Sequence, residues 1–250
     1  MTIPSRAYSV IEVVSNMKKK IILCSVAFLL VCVIVLLVLL GGTPKLQLKD
    51  GVYRTQSVFK KDIGYREAPS TYRASSILKN KTVYLANDGL GEDFSLNAIE
   101  NADTERWLAD ANYTLFYNEE YPLPTLSEMK PCAISLCLSM GKIAEEKGRL
   151  DQKQADQVAE LVRLLSEGKS YPKGTLLLAE YDTYELLFHS EEYPDFYYVL
   201  QYLKFRTPFS YTDGDQTVTE EKGVVYDRVN GCFYPIGEIL EEYFISASGS

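Results

Sequence analysis

The hydrophobic pattern of this chain changes character along its length, and its first feature is the simplest. Residues 21–40 form an unbroken apolar run, IILCSVAFLLVCVIVLLVLL, with no charged side chain. At about 1.5 Å of rise per residue, such a run as a helix spans roughly the 30 Å hydrocarbon core of a bilayer. Lys18, Lys19 and Lys20 precede it, and the turn-prone Gly41-Gly42-Thr43-Pro44 follows. A cleaved signal peptide has a shorter apolar core and small residues before its cut, a pattern that Leu39-Leu40-Gly41-Gly42 lacks. A lipoprotein needs a small residue directly before its cysteine, and Leu23-Cys24 and Val31-Cys32 do not supply one. A buried core helix is rarely so long and so uniformly Leu, Val and Ile. The run therefore predicts a single-pass signal anchor over 21–40, with the lipid bilayer as its partner and a short cytoplasmic tail over 1–20.

Orientation follows from the basic flanks. Arg6, Lys18, Lys19 and Lys20 lie within 15 residues before the run, and Lys45, Lys49 and Arg54 within 15 after it. The totals are nearly balanced, but three lysines abut the span on one side. That places the amino terminus inside and the carboxyl-terminal domain outside the cell membrane. Met17 directly before three lysines also has the form of a translation start, so residues 1–16 read as an over-long beginning.

Beyond the anchor, residues 41–80 mix Gly, Pro, Ser and basic side chains and read as a basic juxtamembrane connector that lends a strand or two to the body. Residues 82–86 (TVYLA) suit a strand closed by a turn at Asn87-Asp88-Gly89. Asp103 is placed to cap a short helix carrying Trp107 and Leu108. After the break at Tyr121-Pro122-Leu123-Pro124, a helix is expected from Thr125 or from Pro131, where proline suits the first position. From Cys132 to Ile143 it is apolar on most faces, with Ser135, Ser139 and Lys142 as its polar stripe, the mark of a helix packed on several sides. Asp151 and Gln154 form a capping-box pattern for a second helix, along which Leu150, Val158, Leu161, Val162 and Leu165 recur at steps of three and four. The short link predicts an antiparallel helix pair, about 125–148 and 151–167.

After Tyr171-Pro172 the period becomes alternating. Residues 175–181, 184–188 and 196–205 read as strands, 212–222 as a polar loop, and 223–228 with 232–236 as a hairpin around Val229-Asn230-Gly231. Ile239, Leu240, Tyr243 and Phe244 suggest a closing helical turn, and 246–250 a soft tail. Helices followed by strands predict an α+β fold: one N-terminal transmembrane helix, then an acidic extracytoplasmic domain over 81–250 with the helix pair packed on a mainly antiparallel, tyrosine-rich sheet. Pro122, Pro172, Pro194 and Pro235 each follow a tyrosine and are expected at element boundaries, since proline gives no ladder donor and restricts its predecessor.

Charge adds a contrast. The chain carries net −8, and residues 44–250 alone hold 22 basic and 33 acidic side chains, net −11. Residues 45–81 reverse the sign, with nine basic against three acidic, while 82–250 hold 13 against 30. A basic collar under an acidic body suits contact with lipid head groups or an anionic envelope polymer, at about 1 kcal/mol per basic residue; a solvated connector explains it equally well. The acidic body argues against nucleic acid, which needs a positive footprint.

Chemistry is sparse. Cys24 and Cys32 fall in the apolar run, leaving Cys132, Cys137 and Cys232, an odd number that makes no disulfide framework. On the expected helix Cys132 and Cys137 diverge by about 140°. Cys232 pairing with either is one alternative, and buried free thiols are the simpler one. With His189 as the one imidazole, no Cys/His zinc set assembles, and no metal or cofactor is expected. Ser139 and Lys142 match the Ser-x-x-Lys pattern of penicillin-binding enzymes, but so do six other pairs in this chain, and the supporting motifs are missing. Asp213-Gly214-Asp215 fits a calcium loop poorly, with Val218 where glycine is required and Val224 at the last ligand position.

Two function classes follow. The first is a non-catalytic domain that binds an envelope protein or glycan, or belongs to a membrane-associated assembly. Tyr197, Tyr198 and Tyr202 on the aromatic strand 196–205 are its candidate contacts, because that strand is apolar or aromatic on both faces. The second is a carboxylate-dependent envelope enzyme acting on glycan or peptide. His189 and Glu192 are its first suspects, and any Ser-His-acid site must pass through His189.

Overall fold

The computed structural model describes residues 25–26, 28–33, 42–55, 63–91, 93–140, 143–150 and 154–241. The chain divides into two compact units, Met1–Pro44 and Lys45–Ser250. In the first, residues 25–26 and 28–33 are helical, and the rest of the 21–40 run lies outside the described residues. Among the described residues no helix is long and apolar enough to cross a membrane. The described piece is under half of the roughly 20 residues that a span requires. The single-pass anchor, and the cell-membrane and extracytoplasmic placement built on it, are therefore not supported.

The second correction concerns fold class. The protein is mostly β, at 45% strand and 16% helix, so the α+β expectation fails. Residues 45–118 are no connector plus strand; they hold a closed seven-stranded barrel. Its strands are β1 (Lys45–Lys49), β2 (Val52–Thr55), β3 (Gly64–Glu67), β5 (Thr82–Asn87), β6 (Phe94–Ala98), β7 (Trp107–Ala109) and β8 (Leu115–Asn118), in the order β1-β2-β3-β8-β7-β6-β5. A parallel β1–β5 pair closes the ring. Asp50 and Gly51, at φ 53° and 76°, make the two-residue turn between β1 and β2, the primed geometry that suits strand twist and that glycine adopts readily. Alternation along the strands sends Leu46, Tyr53, Tyr65, Tyr84, Ala86, Leu96, Leu108 and Phe116 inward. Tyr53 meets Phe94 and Phe116 edge-on at 5.8 and 5.6 Å, the arrangement aromatic quadrupoles favour. Trp107 lies in β7, so Asp103 caps a turn and not a helix; its carboxylate accepts from the Glu105 amide at 2.9 Å.

The expected helix at 125–148 is also replaced. A single turn, α1 (Leu126–Met129), carries a Thr125/Glu128 capping box. It is followed by a hairpin of β9 (Ala133–Met140) and β10 (Ile143–Leu150). The second helix is real, as α2 (Ala155–Glu167), but its N-cap is Gln154 without a side-chain bond, and Asp151 lies outside the described residues.

These elements join a second sheet. Its strands run β10-β9-β12-β13-β16-β17-β11, with β11 (Tyr171–Pro172), β12 (Tyr181–His189), β13 (Phe196–Phe205), β16 (Gly223–Asp227) and β17 (Cys232–Pro235). Val158, Leu161 and Leu165 of α2 pack on one face with Ile134, Leu136, Leu186, Phe188, Leu200, Tyr202 and Val225. The other face is covered at one end by a 3₁₀ turn (Lys173–Leu176) and a hairpin of β14 (Phe209–Asp213) and β15 (Gln216–Glu220). Residues 175–181 are thus mostly turn, and the expected polar loop at 212–222 is largely that hairpin. The predicted 223–236 hairpin is present as β16–β17. All four Tyr-Pro prolines fall at boundaries: Pro122 and Pro194 in loops, Pro172 and Pro235 as the last residues of β11 and β17.

The barrel and the sheet meet through β4 (Tyr72–Ala74), which leaves the barrel to pair with the first half of β13, Tyr72 opposite Tyr198 and Ala74 opposite Phe196. The second half of the same β13 edge pairs with β16, from Gln201–Tyr226 to Lys204–Gly223. Phe196 fills the junction, with its ring 5.1 Å from Trp107 on the barrel wall and 6.0 Å from Tyr72.

Candidate functional site

Because β4 and β16 share one edge of β13 and part at its middle, the sheet has a gap beside Val199 and Leu200. The start of β4 and the end of β16 converge there, and Ser70, Thr71, Arg73, Glu185, Val199, Leu200, Gln201 and Arg228 line a small, solvent-open crevice. Ligand sites are concave and combine apolar surface with a few convergent polar groups.

Cross-strand register puts the polar groups on one face. Arg73 stands opposite Tyr197, and Glu185 opposite both Gln201 and Cys137. Directly opposed residues share a face. Arg73 grips Glu185 with two parallel bonds, Nη1 to Oε2 at 2.6 Å and Nη2 to Oε1 at 2.8 Å, the fork geometry that makes guanidinium–carboxylate pairs strong. The Glu185 side chain is 13% exposed and that of Arg73 34%. This pair spans the two parts of the protein, since Arg73 belongs to the strand leaving the barrel and Glu185 to the sheet's centre. The Thr71 carbonyl accepts from the Val199 amide at 2.6 Å. Arg228 and Gln201 differ from these neighbours. Arg228 is exposed and Gln201 half-buried, and neither side chain has a partner among the described residues. The Asp227 carboxylate fixes the turn that carries Arg228 by accepting from the Val229 and Asn230 amides at 2.8 and 3.0 Å.

The sequence candidates scatter. Tyr202 is 1% exposed within the α2-covered core and has no surface to offer a partner. Tyr198 shares that face, half-buried and edge-on to Tyr72 at 5.1 Å; burial raises its phenol above the ordinary value. Tyr197 points the other way, its ring 4.7 Å from that of His189. His189 Nε2 and Ser135 Oγ are 2.8 Å apart, a nucleophile–base distance. Ser135 is 4% exposed, however, too enclosed to meet a substrate carbonyl. Glu192 is bonded to Lys130 at 2.7 Å, on an exposed loop. Cys132, Cys137 and Cys232 are free thiols. Among the described residues no three His, Cys, Asp or Glu side chains cluster as metal ligands.

The residues that line the crevice were not singled out by sequence reasoning. Arg73 and Glu185 are 112 positions apart, and no local pattern links them. The one available signal was the Asp50-Gly51 hairpin, which would have turned the connector into barrel strands and removed Arg73 from a solvated collar. The chain matches no known protein family, no curated protein and no solved structure.

Proposed function

We propose that residues 45–250 act as a non-catalytic binding module whose ligand sits in the crevice between β4 and β16. The observation that carries this reading is the juxtaposition of two polar side chains without a partner among the described residues, Arg228 and Gln201, with a braced Arg73–Glu185 pair in a solvent-open gap. Binding sites combine a rigid frame with a few convergent polar groups, and the Arg73 fork together with the Asp227-fixed turn supplies the frame. Glu185 is the one carboxylate among the lining residues and is held by Arg73, which leaves no second carboxylate for acid–base chemistry there. The enclosed Ser135 hydroxyl weighs against nucleophilic catalysis through His189.

The test is a small-molecule fragment screen on the isotope-labelled full chain, read by amide chemical shifts. Saturable perturbations should centre on Ser70, Gln201 and Arg228. Hits that instead centre on Ser135 and His189 would defeat the reading. The catalytic alternative has its own readout: His189→Ala should leave fragment binding unchanged and abolish no hydrolysis of model ester or peptide substrates, whereas losing a general base lowers rate by roughly 10²–10⁴.

A further inference from the structure

We infer that the crevice receives the carboxylate of a small monoanionic ligand, with Arg228 as its anchor and the Gln201 amide as a second donor; this rests on the crevice being the binding site. Three charges line the gap, Arg73, Glu185 and Arg228. The first two neutralise one another through two hydrogen bonds, so among the described residues that line the site one positive charge is left uncompensated. That charge matches a monoanion. A phosphate monoester, at about −1.5 to −2 near neutral pH, would leave excess negative charge beside Glu185.

Geometry favours the same ligand. A guanidinium presents a planar fork of donors that a carboxylate meets with two parallel bonds. Arg228 is exposed, and its donors are not taken by any described residue. Gln201 lines the same gap, and its side-chain amide is a neutral donor for a carboxylate oxygen. Val199, 7% exposed and packed with Leu187 and Cys137, gives the floor an aliphatic surface suited to a short carbon chain. The protein's overall charge of −8 works at longer range, repelling extended polyanions while one local cation holds a compact acid. Long-range repulsion falls off beyond about 8–10 Å at physiological salt, whereas a contact pair in a crevice is screened much less.

The experiment uses the labelled full chain at fixed ionic strength with three probes: propionate, its neutral analogue propionamide, and methyl phosphate. Propionate is expected to give saturable shifts at Val199, Gln201 and Arg228, with propionamide and methyl phosphate at least fivefold weaker. Arg228→Gln should weaken propionate tenfold or more, and Arg228→Lys, which keeps the charge but loses the fork, should fall between. Arg228 sits on an exposed turn fixed by Asp227, and unchanged spectra elsewhere will show that both variants remain folded. If propionamide binds the crevice as well as propionate, or Arg228→Gln leaves affinity unchanged, the carboxylate assignment fails while the crevice reading survives. If no probe perturbs these residues, or the shifts map to another region, both are overturned.

Discussion

The barrel and the open sheet solve the same problem in different ways. A sheet with one apolar face must cover it, and the barrel does so by closing on itself, so its inward residues meet the opposite wall. Several of its exterior cations are also matched. Arg54 and Arg66 share Glu119 at 2.5 and 3.4 Å, and Lys45 reaches Asp93 at 2.6 Å. Lys45, Arg54 and Arg66 of the basic stretch thus meet acids brought from distant positions in the chain, and Arg73 follows the same rule with Glu185. The second sheet has two faces and separate covers: α2 on one, the 3₁₀ turn and the β14–β15 hairpin on part of the other. Closure leaves no face vacant, whereas an open sheet is exposed wherever its covers run out. In this protein the covers run out at the middle of β13, and Gln201 and Arg228, without side-chain partners among the described residues, lie there.

The largest test of that division is Phe196→Ala. Phe196 is 1% exposed and packs against Trp107, Tyr72 and Tyr193. Removing a buried aromatic costs about 3–5 kcal/mol. Urea unfolding should show one transition displaced by that amount, because Lys45–Ser250 form one compact unit. Trp107 is the only tryptophan, so its native emission should shift to the red as the junction opens. Two separate transitions in the variant would mean that barrel and sheet are held together by Phe196 and little else.

Two glycines sharpen the comparison at a smaller scale. A Cβ at Gly223 would meet the Leu203 carbonyl oxygen at 2.4 Å and the Tyr202 ring at 2.8 Å, both fixed in the sheet. At Gly64 in the barrel wall it would meet Glu119 Oε1 and a Val52 methyl, each at 2.8 Å, and the Glu119 carboxylate can swing aside. Overpacking costs typically 1–3 kcal/mol. Gly223→Ala should fall at about 3 kcal/mol and Gly64→Ala at about 1 kcal/mol, with the Arg54–Glu119 pair loosened in the second. Equal losses would show that the sheet yields as easily as the barrel wall.

The sequence showed the punctuation better than the period. Tyr-Pro breaks, the helix carrying Val158, Leu161 and Leu165, and the β16–β17 hairpin were legible because each rests on local chemistry. The β9–β10 hairpin was not, because AISLCLSM satisfies two templates. Ser135, Ser139 and Lys142 at steps of four and three imitate a helical stripe. Ile134, Leu136, Leu138 and Met140, separated by Ser and Cys, are an equally good alternating strand. Periodicity alone does not separate such short apolar runs; the strand partner β12, more than 40 positions away, decides. The crevice was illegible for the same reason. Arg73, Glu185 and Arg228 gain their meaning from register, and register is a long-range property.

The smallest expected effect tests the hairpin that covers part of the second face. Asp213, at its tip, accepts from Lys169 and from the Tyr171 hydroxyl, the latter at 2.8 Å. Lys169 first, and then Tyr171, hold the Asp213 carboxyl below its usual value. A folded-state value depressed in this way stabilises the hairpin above the unfolded value of about 3.9, and that contribution is lost as pH falls through the depressed value. The pair is exposed, so the change should be local: side-chain and amide shifts of Asp213, Tyr171 and Tyr211 should move together below pH 4, while barrel resonances such as those of Tyr65 and Leu108 stay fixed. Asp213→Asn should reproduce the acid spectrum at neutral pH. An Asp213 midpoint at or above the ordinary aspartate value would show that the hairpin is held by the Tyr171–Tyr211–Phe233 ring stack alone, and that the covers of the open sheet, like the barrel interior, depend on packing and not on surface charge.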